Sequence, residues 1–178
     1  MSFARGRELV LTPGPSVMPD RVLRAMQRPA PNIYEGELVE ITDSILRDLG
    51  RLAGTAGETA LYVSNGHGVW EAALSNLFGP GDAILALASG TFGHGWADTG
   101  RVMGLDVEVL DFGRHAPVDP TALGERLKED TAHRIKGILV VHADTSSSVR
   151  NNVPQLRQAI DDVGHPALLL VDCIASFC

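Results

Sequence analysis

The feature that most limits how this chain can fold is a series of short apolar runs separated by stretches of helical character. The runs are Ala60–Val63, Ala83–Leu87, Val107–Leu110, Gly137–Val141 and Ala167–Val171. They lack the in–out alternation of a strand with one wet face, so they predict strands buried on both sides. Helical patterns fall between them near 67–78, 95–103, 120–129 and 153–163. Strand and helix in regular alternation predict an α/β domain, a mainly parallel sheet flanked by helices.

The N-terminal part reads differently. Leu9 to Ser16 leads into a Pro13-Gly14-Pro15 turn, and Pro19 and Asp20 open a short helix that runs to Arg28. A loop with Pro29, Pro31 and Gly36 follows. Leu38, Ile41, Ile45, Leu49 and Leu52 then recur at spacings of three and four, which predicts an amphipathic helix. Residues 1–36 are therefore expected to form an arm and loop, and 37–178 a large α/β domain.

Composition narrows the function. Apolar residues make up 44% and charged residues 21% of the 178, as in globular rather than disordered chains. The net charge of −7 comes from interleaved acids and bases, so nucleic acid and anionic membranes are poor partners. No apolar run approaches the length of a membrane span, and the first residues have no secretory apolar core. Two cysteines, Cys173 and Cys178, make neither a disulfide framework nor a zinc pattern, so a cytoplasmic setting is expected.

Open α/β sheets bind ligands beyond the carboxyl ends of their strands. The residues after the runs are Ser64-Asn65-Gly66-His67, Ser89-Gly90-Thr91-Phe92, His142-Ala143-Asp144-Thr145-Ser146 and Asp172-Cys173-Ile174. A glycine between strand and helix lets a backbone approach a ligand, and a helix start offers amides to an anion. Ser64–Gly68 thus suits a phosphate, or equally a plain turn capped by Asn65 or Ser64. Neither Gly66-x-Gly68-x-x-Glu71 nor Gly93-x-Gly95-x-x-Asp98 completes a dinucleotide fingerprint, because an acid stands at the third glycine. Asp172, at the end of an apolar strand, wants a cationic partner, such as a protonated pyridine nitrogen, or else caps a following helix. Phe92 lies between glycines that leave a ring face open. His142-x-Asp144 could ligate a metal, but no third ligand stands at a clear spacing, and no metal is expected. His94, His115, His133 and His165 read as loop or surface residues.

Several segments together resemble the class V pyridoxal-phosphate-dependent aminotransferases, of the alanine–glyoxylate and serine–glyoxylate type. Ser64-Asn65-Gly66-His67-Gly68 with Trp70-Glu71-Ala72-Ala73-Leu74 and Pro80-Gly81-Asp82 is similar to that family's cofactor-phosphate segment. Leu11-Thr12-Pro13-Gly14-Pro15-Ser16 resembles its N-terminal Gly-Pro turn. His142–Ser147 resembles the segment beside the cofactor's ring hydroxyl, and Val171–Ser176 its aspartate segment. The segments stand in the family's order along the whole chain.

The resemblance implies the large domain of the fold type I transferases, with pyridoxal 5'-phosphate as cofactor, and a homodimer. It implies that Gly66 and His67, with Ser64 or Asn65, hold the phosphate. Phe92 would stack on the pyridine where many relatives carry Trp, and Ile174 would pack on its other face. Thr145 would approach the ring hydroxyl, and Asp172 would be the catalytic partner of the ring nitrogen. Tyr34 and Gly36 would touch substrate. The implied reaction moves an amino group from a small amino acid, alanine or serine, to a 2-oxo acid such as glyoxylate. The family's Schiff-base lysine belongs one βα unit after the aspartate, and this sequence holds only Lys128 and Lys136. The chain is therefore expected to be an N-terminal portion, without the small C-terminal domain and inactive alone. A lyase or cysteine desulfurase on the same fold, or a non-catalytic module that keeps the pocket, would share these residues.

Overall fold

The computed structural model describes residues 17–177, and the chain divides into two compact units at Leu61/Tyr62. The Leu9–Ser16 lead and Cys178 lie outside the described residues. In the first unit, α1 spans Asp20–Met26 and α2 spans Glu37–Leu52. The α2 pattern of threes and fours folds as expected, with Glu37 and Glu40 in its first turn, where they complement the helix dipole. Gly36 precedes it at φ 85°, a left-handed conformation that favours glycine. Thr59 donates its hydroxyl to the Leu46 carbonyl at 3.0 Å and so ties the segment after the helix back onto it.

The second unit holds the sheet. Its helices are α3 (Gly66–Leu77), α4 (Thr91–Val102), α5 (Pro120–Glu129) and α6 (Val153–Asp162). Its strands are β1 (Ala83–Ala88), β2 (Asp106–Asp111), β3 (Ile135–Val141), β4 (Ala143–Asp144), β5 (Val149–Arg150) and β6 (Leu168–Asp172). β2, β1, β3 and β6 pair in that order, all parallel, and β4 with β5 forms a separate antiparallel pair. Four of the five apolar runs are thus strands of one parallel sheet. Side asparagine and aspartate caps set three helix starts: Asn65 for α3, Asp119 for α5 and Asn152 for α6.

Alternate residues of β1 and β3 feed two cores. Leu85, Leu87, Ile138 and Val140 pack with Leu123 and Leu127 of α5 and Leu156 and Ile160 of α6. Ile84, Ala86, Leu139 and Val141 pack with Trp70 and Leu74 of α3 and Trp96 and Ala97 of α4. Burial on both faces is the physical reason the runs of β1 and β3 are continuously apolar.

One expectation fails, and another holds only in part. Ala60–Val63 is not a strand: it pairs with none of the described strands, and Leu61, Tyr62 and Val63 are exposed. Four apolar residues supply β propensity, but only a hydrogen-bonding neighbour makes a strand. His165 does lie in a loop, as expected, but it is buried rather than at the surface, with Nε2 3.3 Å from the Asp130 carboxylate. The Ala167 amide donates to His165 Nδ1 at 3.2 Å, so Nε2 carries the proton that faces Asp130. His94 belongs to α4, with Nε2 3.2 Å from Asp111.

Asp130 closes the loop between α5 and β3. Burial pushes its carboxyl up, but the Ile135 and Arg134 amides and His165 outweigh burial and hold it below the ordinary carboxylate range. A depressed folded-state value means the stabilisation is present above the unfolded carboxylate value of about 3.9 and is lost as pH falls through the folded one. We expect Asp130→Asn to destabilise the fold by about 1–3 kcal/mol at pH 7. Urea unfolding at pH 7 and below pH 4 checks this, because the penalty should shrink in acid.

Candidate active site

Two helix starts on the carboxyl side of the strands, those of α4 and α3, are treated differently by the structure. At α4 the first three amides are occupied from within the chain. Thr91 N–H donates to Ser146 Oγ at 2.7 Å, and Phe92 and Gly93 donate to Asp144 Oδ2 at 2.9 and 3.2 Å. Asp144 also accepts from the Ser146 amide and hydroxyl at 3.0 and 2.6 Å, and it is 1% exposed. A buried carboxylate with this many donors is a satisfied structural charge. Gly90 makes room for it, since a Cβ there would lie 2.4 Å from Asp144 Cγ.

At α3 the arrangement stays open. Asn65 caps the helix by accepting from Gly68 at 3.3 Å. The amides of Gly66 and His67 have no acceptor among the described residues. The capping and anion readings of this turn are therefore compatible: Asn65 uses one amide, and two more face outward at the positive end of the helix. Ser64 points elsewhere, with its hydroxyl donating to the Asn65 carbonyl at 2.9 Å.

The other expected residues gather around α3. A Cβ on Gly66 would meet Ile174 Cδ1 at 3.6 Å, so the residue after β6 lies beside the turn. His67 lies 6.3 Å from Phe92, ring centre to ring centre, and 4.5 Å from Trp70. Asp172 accepts from Trp70 Nε1 at 2.9 Å on one oxygen and from the Ile174 amide at 2.8 Å on the other. The latter is a tight turn through Ser176 rather than the start of a helix. Thr145 is exposed in the turn between β4 and β5. Tyr34 and Gly36 belong to the first unit, where Tyr34 is exposed and its amide donates to Asn32 Oδ1 at 2.9 Å.

His142 and Asp144 do not act as a metal pair. Asp144 is filled by donors, and His142 Nδ1 lies 2.8 Å from Ser176 Oγ. Burial pushes the Cys173 thiol up, the Asp172 charge adds to this, and a Ser176 hydrogen bond only partly opposes it. The thiol is therefore held protonated rather than as a nucleophile.

Two residues of this region, Trp70 and Asn151, have no role assigned to them by sequence, and Asp144 has only that of a possible metal ligand. Trp70 looks like any apolar helix residue until its indole meets Asp172, 102 positions away. Asp144 reads as a ligand until its donors are seen. Asn151, also buried, accepts from the Val118 amide at 2.8 Å and donates to Ser89 Oγ at 2.9 Å and the Val141 carbonyl at 2.8 Å. It locks the ends of β1 and β3 together, and nothing in the local sequence announces that.

A mainly parallel sheet with helices on both faces, and an open helix start beside an acid at the strand ends, form an arrangement with close structural likeness to the large domain of solved aminotransferases. The structure of an aspartate aminotransferase of subgroup IV from Thermus thermophilus superposes with a TM-score of 0.82 at 26% identity, over 96% of this chain and 47% of that one. By sequence the chain is similar to serine–glyoxylate aminotransferases. It is 38% identical to the enzyme of Methylorubrum extorquens over 172 residues and 34% identical to that of Arabidopsis thaliana over 179. These matches take in 96% and 99% of this chain but 43% and 44% of the relatives, so the chain spans less than half their length. No family model matches the chain.

The Asp144 arrangement is sensitive to one methyl group. We expect Gly90→Ala to destabilise the fold by about 1–3 kcal/mol through overpacking alone, because the Gly90 φ of 172° is open to any residue. Chemical denaturation would measure it, and amide exchange at Phe92 and Gly93 should speed up in the variant.

Proposed function

We propose that this chain is the cofactor-binding part of a pyridoxal-phosphate-dependent aminotransferase that uses glyoxylate as amino acceptor and a small amino acid, serine or alanine, as donor. The observation that carries the reading is the contrast between the two helix starts. One is neutralised internally by Asp144; the other leaves two amides free beside an unneutralised carboxylate. An anionic phosphate and a cationic ring nitrogen in one ligand match that pair of features. The names of the relatives, serine–glyoxylate aminotransferases, support the substrates.

The residues fit the cofactor. Gly66 and His67 would hold the phosphate, with Asn65 and Ser64 shaping the turn. Phe92 and Ile174 would contact the ring faces, and Thr145 would serve the ring hydroxyl. Asp172 would hold a proton on the ring nitrogen by charge pairing. Pyridoxal phosphate, when bound, supplies the electron sink for amino-group transfer. Tyr34 and Gly36 are the proposed substrate contacts. We further propose a homodimer and a cytoplasmic setting; no described helix is long and apolar enough to cross a membrane.

The lysines of this chain do not serve the site. Lys136 lies near the amino end of β3 and pairs with Asp82, and Lys128 lies on α5. Two tests follow. Pyridoxamine 5'-phosphate, which needs no lysine, should bind the chain and quench tryptophan fluorescence, and Asp172→Asn should weaken it about tenfold. Absence of binding by the wild type would refute the cofactor assignment. Borohydride reduction with pyridoxal phosphate should leave no stoichiometric adduct at the site, read by peptide mass; such an adduct would show that a lysine of this chain reaches it.

A further inference from the structure

We propose that Trp70 is the positioning residue for Asp172: its indole N–H and the Ile174 amide fix the orientation of the carboxylate, whose remaining lone pairs are left for a cation. The identity of that cation, a pyridinium nitrogen, rests on the function proposed above.

Both partners of Asp172 are pure donors. An indole nitrogen and a backbone amide can donate but not accept, so both bonds end on carboxylate lone pairs. They bind opposite oxygens, Trp70 at Oδ2 (2.9 Å) and Ile174 at Oδ1 (2.8 Å), which sets the plane of the carboxylate. An ionised carboxylate has about four acceptor positions, so two such bonds leave capacity for a third donor.

The indole is itself immobilised. Trp70 is 4% exposed and stacks on Trp96 at 5.6 Å with 12° between planes. His67 meets it edge-on at 4.5 Å, and Phe92 at 6.5 Å and 71°. The Trp96 Nε1 is buried without a partner, so of the two stacked indoles only Trp70 has an acceptor. Trp70 also lies about one helical turn after Gly66. The packing of α3 therefore positions the free amides and the acid in one step, although 102 residues separate Trp70 from Asp172.

The test uses two ligands that need no lysine: pyridoxamine 5'-phosphate and its 1-deaza analogue, which lacks the ring nitrogen. Trp70→Phe keeps an aromatic ring and removes the donor. We expect it to weaken pyridoxamine 5'-phosphate about tenfold and to leave the 1-deaza analogue within about twofold of wild type. Equal weakening of both ligands would make Trp70 a packing residue only and overturn the proposal. Wild type that binds neither ligand would overturn the cofactor assignment and this inference with it. If Trp70→Phe does not fold, ¹⁵N-labelled wild type and Asp172→Ala are compared by NMR. The Trp70 indole N–H resonance should move while that of Trp96 stays; an unmoved Trp70 resonance would overturn the proposal.

Discussion

A carboxylate shut away from water needs donors on every side, and Asp144 finds them in two places at once. It takes the Phe92 and Gly93 amides at the start of α4 and the amide and hydroxyl of Ser146 in its own turn. The bonds join β4 and the turn after it to the start of α4, and so hold the Phe92 backbone and the turn that presents Thr145. They also cancel the positive end of α4. Of the α3 and α4 starts, only that of α3 then stays open to an anionic ligand. The buried charge selects the site by removing its competitor.

Around α3 the parts depend on one another through aromatic packing. Trp70 stacks on Trp96, takes His67 on its edge and donates to Asp172. Ile174 returns beside Gly66, while its amide holds the other oxygen of Asp172. The distance between the amides of Gly66 and His67 and the acid of Asp172 is therefore set by rigid rings rather than by flexible side chains. That is what a site for a ligand charged at both ends requires.

Much of the frame was legible in the sequence, for identifiable reasons. Four apolar runs became β1, β2, β3 and β6; in β1 and β3, burial on two faces permits nothing polar within the run, while β2 admits Glu108, which pairs with Arg126. The helix starts were legible because Asn65, Asp119 and Asn152 sit where caps belong. Ala60–Val63 carried the same signal as the true strands and still failed, since pairing is not a property of one segment. The β4–β5 pair went unseen because two-residue strands have no period to read. His165 looked polar and hence superficial, although Asp130 was waiting 35 positions away to satisfy it.

The sequence by itself determined the order of strands and helices, the glycine turn at Gly66, and the presence of an acid at the end of β6. Those follow from local patterning and from residue chemistry. Only the tertiary structure decided which helix start stays open and which carboxylate is spent as structure, because a donor can be assigned to an acceptor only once both are in place. Asp144 and Asp172 are equivalent on paper. Two further donors separate them in space: Asp144 is filled by its surroundings, while Asp172 is oriented by Trp70 and Ile174 and left with room for one more.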